Sequence, residues 1–304
     1  MPMSKRVGKS ESDRGGPYDP AVSFNLDGDE GADVEVVSDV GALIGYLDEW
    51  REDGCSIGLV PVLGEAHVGH LVLLALAARE CDRVVVAAGP RADVLTDPVG
   101  RSLLSRNGAD VLYAAAREVD PLPVDDLPDF AVAMEGQYGR RSLTEAVGKI
   151  ERLIGLIAPD RLYQSGAVFQ RACVLASRLS GRDGAPLIRV VDAARGPGGI
   201  TPVAEIDRLD EAGRERVASL SRILQRIAGR LADGVSTPAG EIAWGLDALS
   251  AAEFDGIDYL EVRNPRTLEP VDRAGAPARV FVAVRIGDLR FVDSVPVRSA
   301  DADR

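Results

Sequence analysis

The two histidines of the chain, His67 and His70, lie in the short sequence His-Val-Gly-His directly after an apolar run. A neutral imidazole donates a hydrogen bond from one ring nitrogen and accepts at the other, so two neighbouring rings can bind phosphate oxygens or transfer protons. The structural alternative is a solvated turn, or a ring that is hydrogen-bonded to a backbone carbonyl. The elements around the pair bear on which interpretation applies.

The residues before and after the histidines predict a strand-to-helix turn. Residues 56–62 are apolar and rich in β-branched side chains, which is typical of a buried parallel strand. Pro61 and Gly64 should break that strand, and the sequence from Val68 onward has the length and composition of a helix. Such a turn lies at the carboxyl end of a strand, where open α/β sheets bind ligands, and the N-terminus of the helix favours phosphate.

The charge of the whole chain limits the classes of partner. With 35 Lys and Arg against 48 Asp and Glu in 304 residues, the formal net charge is −13. A nucleic-acid-binding surface requires a basic face, so we expect no nucleic-acid partner. Lysine occurs only at positions 5, 9 and 149, and arginine therefore supplies almost all of the positive charge.

The cysteines and the apolar runs indicate the compartment. Cys55, Cys81 and Cys173 are far apart, lie in or beside apolar segments and have no metal-ligand spacing, so we expect buried, reduced thiols and no metal site. No signal peptide is visible, and the longest apolar runs are too short to span a bilayer. The expected location is the cytoplasm, with no membrane partner.

Strands that alternate with helices along most of the chain predict an α/β fold with a parallel sheet. We expect a disordered tail at residues 1–33, a Rossmann-like nucleotide-binding domain at 34–233, a small C-terminal α+β lid domain at 234–298 and a tail at 299–304. Within the first domain we expect a short strand at residues 130–134, an amphipathic helix at 143–157 and a flexible loop at 195–199.

Four motifs along the chain together resemble one known family. They are residues 61–70, Met134-Glu135-Gly136, Ile157-Ala158-Pro159-Asp160, and a closing segment with Tyr259-Leu260-Glu261-Val262 and Gly287-Asp288-Leu289-Arg290-Phe291-Val292-Asp293-Ser294. In order and spacing they are similar to those of the pantothenate synthetase family, the AMP-forming pantoate–β-alanine ligases. The histidine pair of that family is the HxGH signature of nucleotidyltransferases. The resemblance covers residues 35–296.

The resemblance implies a Rossmann-like nucleotidyltransferase fold of the HIGH type and a reaction that uses ATP and Mg²⁺. In the family the acid becomes an acyl adenylate, which an amine attacks to form an amide, so the implied partners are a small carboxylic acid and a small amine. His67 and His70 would be the catalytic pair, donating hydrogen bonds to phosphate as charge develops at the α-phosphate. Nucleotide-binding positions are implied at Pro61, Leu63, Gly64 and Gly69. Because the family usually dimerises, we also expect a homodimer.

Several positions that serve pantoate and ATP in the family have changed. Residues 87–93 lack the glutamine that would hold pantoate, and the histidine after the Glu-Gly motif is replaced by Ser142. In the Gly-x-Lys-Asp-x-Gln-Gln motif, the lysine, the aspartate and the second glutamine correspond to Ala167, Val168 and Arg171. The Ser-Ser-Arg-Asn motif has no match. Because losing one preorganised donor costs roughly 10²–10³ in rate, ordinary pantoate adenylation should be lost unless other residues substitute.

Arginines are candidates for that substitution, because a guanidinium binds phosphate or carboxylate through two parallel hydrogen bonds. Arg171 is preferred, since it occupies a ligand-facing position of the family. Arg195 is assigned to nucleotide binding, and Arg141 is a further candidate. Substrate binding is assigned to Arg171, Gln170, Ser142 and Arg140. The alternative for each arginine is an ordinary surface charge, and Lys149, expected in solvent on a long helix, is a poor replacement.

Three hypotheses about function remain open. The first is a repurposed ligase that still binds ATP through His67 and His70 but activates a different carboxylic acid. The second is ATP-independent chemistry on a small anionic compound in the same crevice. The third is a non-catalytic binding protein. Retention of both histidines weighs against the third hypothesis and does not separate the first two.

Overall fold

The computed structural model describes residues 34–89, 91–114, 119–135, 138–196, 201, 204–273 and 275–298. The predicted tails at 1–33 and 299–304, Gly136 of the Glu-Gly motif, and residues 197–199 of the predicted flexible loop lie outside the described residues. Contacts divide the chain into two compact units. The first contains the described residues up to 126 together with 141–165 and 174–191, and the second contains 127–140, 166–173 and the described residues from 192 onward. The predicted domain boundary near residue 233 stays a prediction.

The first unit is built on a six-stranded parallel sheet in the order β1-β4-β3-β2-β5-β6. Its strands are β1 Glu35–Val37, β2 Ile57–Val62, β3 Arg83–Ala88, β4 Val111–Tyr113, β5 Arg161–Ser165 and β6 Leu187–Val191. All residues of β2 and β3 are buried, as expected for central strands of a parallel sheet. The predicted α/β class is therefore confirmed.

Eight helices accompany the strands within the described residues. They are α1 Val40–Glu52, α2 Val68–Glu80, α3 Pro98–Arg106, α4 Asp129–Glu135, α5 Arg140–Ile157, α6 Phe169–Leu179, α7 Glu211–Ala232 and α8 Pro238–Ala251. Helix α1 shows why they form: Leu43, Leu47 and Trp50 recur on one buried face, and the Asp39 carboxylate caps the N-terminus by accepting from the Ala42 N–H at 2.9 Å.

The second unit contains a three-stranded antiparallel sheet in the order β7-β8-β9. Its strands are β7 Gly256–Arg263, β8 Ala278–Ile286 and β9 Leu289–Val297. One set of alternate side chains, including Val280, Val282 and Val284, packs in a core with α7 residues such as Leu224 and Ile227. This two-residue periodicity is what buries one face of an antiparallel sheet against a helix.

The strand predicted at residues 130–134 is wrong, because these residues belong to α4. The N–H groups of Ala131 and Val132 both donate to the Pro128 carbonyl, at 2.8 and 3.2 Å, which closes the first helical turn. Ala131 and Met134 are buried three positions apart, a helical spacing. A short apolar run gives no periodicity by which to separate strand from helix, and only tertiary packing decides.

The predicted break of the central strand at Pro61 is also wrong, because β2 continues through Pro61 to Val62. On one side Pro61 is in register with Ala87 of β3. On the other side, pairing of β2 with β5 covers only Gly58 and Leu59. A proline has no N–H to donate, so it is tolerated where the ladder to one neighbour has already ended.

No helix among the described residues combines the length and the apolar character needed to cross a bilayer.

Candidate active site

The histidine turn, residues 63–70, follows the carboxyl end of β2. Strand β2 lies between β3 and β5, so the chain runs outward through β3 and then returns to the other side of β2. This reversal of strand order is the point at which open α/β sheets form a ligand crevice. The Gly89 N–H after β3 donates to the Val62 carbonyl at 2.8 Å, and a Cβ on Gly89 would lie 2.8 Å from the Leu63 oxygen. Only a glycine permits this close approach, which fixes the start of the turn.

The start of β2 is held by the Pro-Asp motif that follows α5. The Asp160 carboxylate accepts from the Ile57 N–H at 2.6 Å, and the Asp160 N–H donates to the Ile57 carbonyl at 2.8 Å. This motif is therefore structural in the folded chain, since it sets the register of β2 and β5 on which the turn depends.

The two histidines form a reciprocal capping box at the N-terminus of α2. His67 is the N-cap residue, and its Nδ1 accepts from the Gly69 N–H at 3.2 Å. The His67 N–H in turn donates to Nδ1 of His70 at 3.3 Å. The ring centroids are 3.9 Å apart with 36° between the ring planes. Backbone N–H groups that a helix start leaves unbonded are thus satisfied by imidazole nitrogens.

This hydrogen bonding assigns the tautomer of both rings. Because each Nδ1 accepts a hydrogen bond, the hydrogen of each neutral imidazole is on Nε2. Both rings are half-buried and lie at the positive end of the α2 dipole. Two Nε2–H donors at a helix N-terminus favour an anionic ligand such as a phosphate.

Gly69 is required by the position of the His67 ring. A Cβ on residue 69 would lie 2.9 Å from both Cε1 and Nδ1 of His67, closer than carbon atoms in proteins approach. The glycine between the histidines therefore allows the ring to fold back over the first turn of α2. Pro61 and Leu63, also predicted to bind nucleotide, lie in β2 and at the first position after it, and their predicted role is not tested by this geometry.

Gly64 has a cationic neighbour that sequence reasoning missed. A Cβ on Gly64 would lie 3.9 Å from Nη2 of Arg91, and the Arg91 side chain is exposed. Arg91 follows β3 in the segment that lacks the expected glutamine. The sequence signal that could have identified Arg91 is its position just after β3. Strand β3 pairs with β2, so side chains that follow it can reach the histidine turn.

Arg195, assigned to nucleotide binding, is engaged in an ion pair of the second unit. Its Nη1 and Nη2 donate to the Asp293 carboxylate at 3.0 and 3.3 Å, and Nη1 also donates to the hydroxyls of Thr201 and Ser221. Asp293 is buried and belongs to the closing motif. The geometry gives Arg195 a structural role, and its role in nucleotide binding stays a prediction.

Gln170 and Arg171, assigned to substrate binding, lie at the start of α6 in the second unit. Gln170 is buried, with Nε2 3.2 Å from Sδ of Met134, and its Oε1 has no hydrogen-bond partner among the described residues. Arg171 as a whole residue is partly exposed, but its guanidinium is buried. This burial lowers the pKa of Arg171 to about 10. Their predicted contact with substrate stays a prediction.

Arg140 and Ser142 lie in the first turn of α5 and are exposed, and their predicted substrate binding is likewise not tested. Lys149, further along α5, was expected in solvent. Its side chain is instead only 17% exposed, and its Nζ lies 2.9 Å from Glu145 Oε1.

Residues from two of the motifs, together with Asp258, meet in a second cluster, which we call the carboxylate cluster: Glu135, Asp258, Tyr259 and Arg290. Arg290 donates to both oxygens of Glu135, at 2.8 and 3.0 Å, and through Nε to Asp258 at 2.7 Å. The Tyr259 hydroxyl donates to Glu135 at 2.7 Å. Burial raises the pKa of Tyr259 well above its usual value, and the negative charge of Glu135 adds to that effect. Sequence reasoning did not connect these residues.

No group of three or more His, Cys, Asp or Glu side chains in the described part of the chain could hold a metal ion. The three cysteines are free thiols, of which Cys81 is buried and the other two are half-buried.

Comparison with known proteins gives one family. The sequence profile described as pantoate-beta-alanine ligase matches residues 35–88 and 98–296. The interval between the two matched ranges is the segment that follows β3 and contains Arg91.

Individual relatives match over most of their length. Pantothenate synthetase from Ruegeria pomeroyi is 30% identical over 266 residues, which cover 82% of this chain and 92% of that protein. Pantothenate synthetase from Cereibacter sphaeroides is 27% identical over 278 residues, covering 86% of this chain and 99% of that protein. The crystal structure of pantothenate synthetase from Thermus thermophilus matches with a TM-score of 0.75 at 25% identity and covers 87% of this chain and 100% of that chain.

Proposed function

Because the chain belongs to the pantoate–β-alanine ligase family, we propose that it activates a carboxylic acid other than pantoate with ATP and joins it to a small amine. The family is one of ATP-dependent ligases, which gives the reaction class. The single observation that supports retained use of ATP is the capping box of His67 and His70, which directs both ring hydrogens to Nε2.

The proposed role of the histidines is electrostatic. In the activation step a carboxylate oxygen of the acid bonds to the α-phosphorus of ATP as the bond to pyrophosphate breaks. Negative charge grows on the phosphate oxygens, and the two Nε2–H donors stabilise it. A preorganised donor of this kind contributes roughly 10²–10³ in rate. In the second step the amine attacks the acyl carbon, AMP leaves, and the amine loses a proton.

The residues present fit a nucleotide phosphate. The donor set is two imidazole N–H groups at a helix N-terminus, and Gly69 leaves the space that the His67 ring occupies. We assign ATP binding to His67, His70 and the backbone of Gly64, with Gly69 holding the His67 ring in place. For Mg²⁺, the described residues offer no cluster of three ligands, so we propose that the ion enters bound to the phosphates, with oxygen and water ligands.

The change of acid is supported by the positions that differ from the family. The segment after β3 lacks the glutamine that would hold pantoate, and its Ala92 is fully buried and has no polar group. The phosphate-binding lysine of the family corresponds to Ala167, which is also buried, so this difference concerns ATP and not the acid. Arg171 replaces a second glutamine, and a guanidinium only donates hydrogen bonds, whereas an amide both donates and accepts. The proposed acid therefore presents acceptors where pantoate offers a hydroxyl. We further propose a cytoplasmic homodimer, as in the family.

ATP–pyrophosphate exchange tests the proposal. Purified protein is incubated with Mg·ATP, labelled pyrophosphate and a panel of carboxylic acids, with pantoate included and a no-acid control. Exchange with an acid other than pantoate, exceeding that with pantoate, is the expected result. Exchange fastest with pantoate would refute the change of substrate. No exchange with any acid, together with no ATP binding by calorimetry, would refute the ligase itself and favour ATP-independent chemistry or a binding role.

A further inference from the structure

The loop after β3 presents a cation to the histidine turn. The Ala92 N–H donates to the Gly89 carbonyl at 3.1 Å, which closes a tight turn that contains Arg91. Ala92 is fully buried, whereas Arg91 is exposed, so Arg91 and not its neighbour can reach a ligand from this loop. Its Nη2 is 3.9 Å from the position of a Cβ on Gly64, and Gly64 belongs to the histidine turn.

Arg91 is one of three cations that act on the carboxylate of Glu145 in α5. The pKa of Glu145 is lowered, first because Lys149 donates a hydrogen bond to it and further by the charges of Arg141 and Arg91. Arg91 therefore lies within electrostatic range of two other cations, and cations grouped in this way attract anionic ligands.

We propose that Arg91 is a substrate-binding residue that holds an oxyanion group, phosphate or carboxylate, at the histidine turn. The proposal rests on the proposed function only for the identity of the reaction, since binding of an oxyanion is a property of the site itself. A planar guanidinium can form two parallel hydrogen bonds with either group. The imidazole Nε2–H groups of His67 and His70 are further donors on the same turn. Arg91 thereby adds a positive charge to the two neutral imidazole donors of the turn.

The substitution Arg91→Ala tests this role by calorimetric titration with two probes, inorganic triphosphate and propionate, at low ionic strength. Because a hydrogen bond to a charged group is worth several times the thermal energy, Arg91→Ala should weaken binding of one probe by on the order of 10- to 100-fold. Weaker binding of triphosphate identifies the nucleotide phosphates as the occupant, and weaker binding of propionate identifies the carboxylate of the acid. Arg91→Glu should weaken the same probe further.

The matched control is Arg79→Ala, which removes an exposed arginine from the last turn of α2, at the opposite end of the helix from the histidines. This control should bind both probes as the unchanged protein does, and the thermal midpoint of each variant establishes that it is folded. Equal affinity of Arg91→Ala and the unchanged protein for both probes would overturn the proposal, as would binding of neither probe by the unchanged protein. Loss of triphosphate binding in Arg91→Ala, without ATP–pyrophosphate exchange by the unchanged protein, would support the site and refute only the ligase.

Discussion

The histidine turn and the carboxylate cluster use motif residues in opposite ways. In the turn, His67 and His70 each accept at Nδ1 a hydrogen bond from a backbone N–H group within three residues. In the carboxylate cluster, Arg290 bonds to carboxylates 32 and 155 positions away, and these carboxylates are buried. The first arrangement uses a local contact to orient a donor, and the second satisfies charges by long-range pairing.

This difference suits the histidine turn to binding or catalysis and the carboxylate cluster to holding the fold together. A ring held at Nδ1 keeps Nε2–H as a donor of fixed direction, which is the preorganisation that catalysis requires. A guanidinium with all its nitrogens directed at two buried carboxylates is committed to the fold, because removing it would leave unpaired buried charge. We therefore expect substitutions in the two regions to differ in what they change, activity or stability.

The largest effect on stability is expected for Arg290→Met. The substitution keeps much of the side-chain volume but removes the cation of Glu135 and leaves Asp258 with Arg285 alone, at 3.1 Å. An uncompensated buried charge, here Glu135, costs about 3 kcal/mol. Urea denaturation should report this loss in the free energy of unfolding. The control is Arg208→Ala, in which the ion pair with Asp288 has both side chains more than half exposed, and a change below about 0.5 kcal/mol is expected. Similar losses of unfolding free energy in both variants would mean that burial of the carboxylate cluster adds nothing to stability.

The largest effect on activity is expected for His67→Asn and His70→Gln. Asparagine is a good N-cap residue, and glutamine three residues later completes a capping box, so the free energy of unfolding should change by less than about 0.5 kcal/mol. Neither amide can place an acceptor at the position of the imidazole Nδ1 and a donor at the position of Nε2–H at the same time, so capping removes the donor. Exchange of ATP and pyrophosphate should fall by roughly 10²–10³ for each variant. Full activity in both variants would contradict the proposed role of the rings.

A smaller effect is expected for Gly69→Ala. The new Cβ would displace the His67 ring, while alanine in a helix is up to about 1 kcal/mol more favourable than glycine. We expect unchanged or higher stability with exchange reduced by roughly 10- to 100-fold, since a displaced catalytic group loses that much. Gly229→Ala in α7 is the matched control, because a Cβ there meets nothing within 4 Å. The control should gain stability and keep full activity. An equal loss of activity in Gly229→Ala would show that displacement of the His67 ring is not the cause.

The smallest effect is expected for Glu241→Gln in the second unit, and it concerns stability at acid pH. Burial acts to raise the pKa of Glu241, but hydrogen bonds from Arg230 and Ser236 outweigh it, and the pKa is lowered below the usual 4.5. The carboxylate therefore stabilises the fold above pH 4.5, and this contribution is lost as pH falls through the lowered value. Below pH 4.5 the unfolding free energy of Glu241→Gln should therefore decrease less steeply than that of the unchanged protein. The difference should be less than about 1 kcal/mol, because Arg230 is partly exposed. An unchanged slope would show that Glu241 is not the titrating group.

Much of the fold could be predicted because its signals are local. The predicted helix start at Val68 and the sheet class follow from hydrophobic periodicity and from turn residues. The amphipathic pattern of residues 143–157 likewise lies within α5. Residues 130–134 were misassigned because a short apolar run fits both a strand and a helix, and the contacts that settle the choice are distant in sequence.

The candidate site was predicted in part. The histidine pair was recognised from its spacing, but the capping box and the tautomer depend on ring orientations that no sequence pattern contains. The assignment of Arg195 to nucleotide binding stays a prediction, but its hydrogen bonds to Asp293, 98 positions away, could not be predicted from the sequence. Arg91 was overlooked because its closeness to Gly64 arises only when β2 and β3 pair side by side.

The amino-acid sequence alone determined the family, the α/β class and the position of the histidine turn, because each depends on residue type and short-range spacing. Tertiary structure decided which charged residues are bound to one another and which face the turn. The physical reason is that an ion pair depends on the distance between atoms in space. Residues such as Glu135 and Arg290 acquire that proximity only through folding.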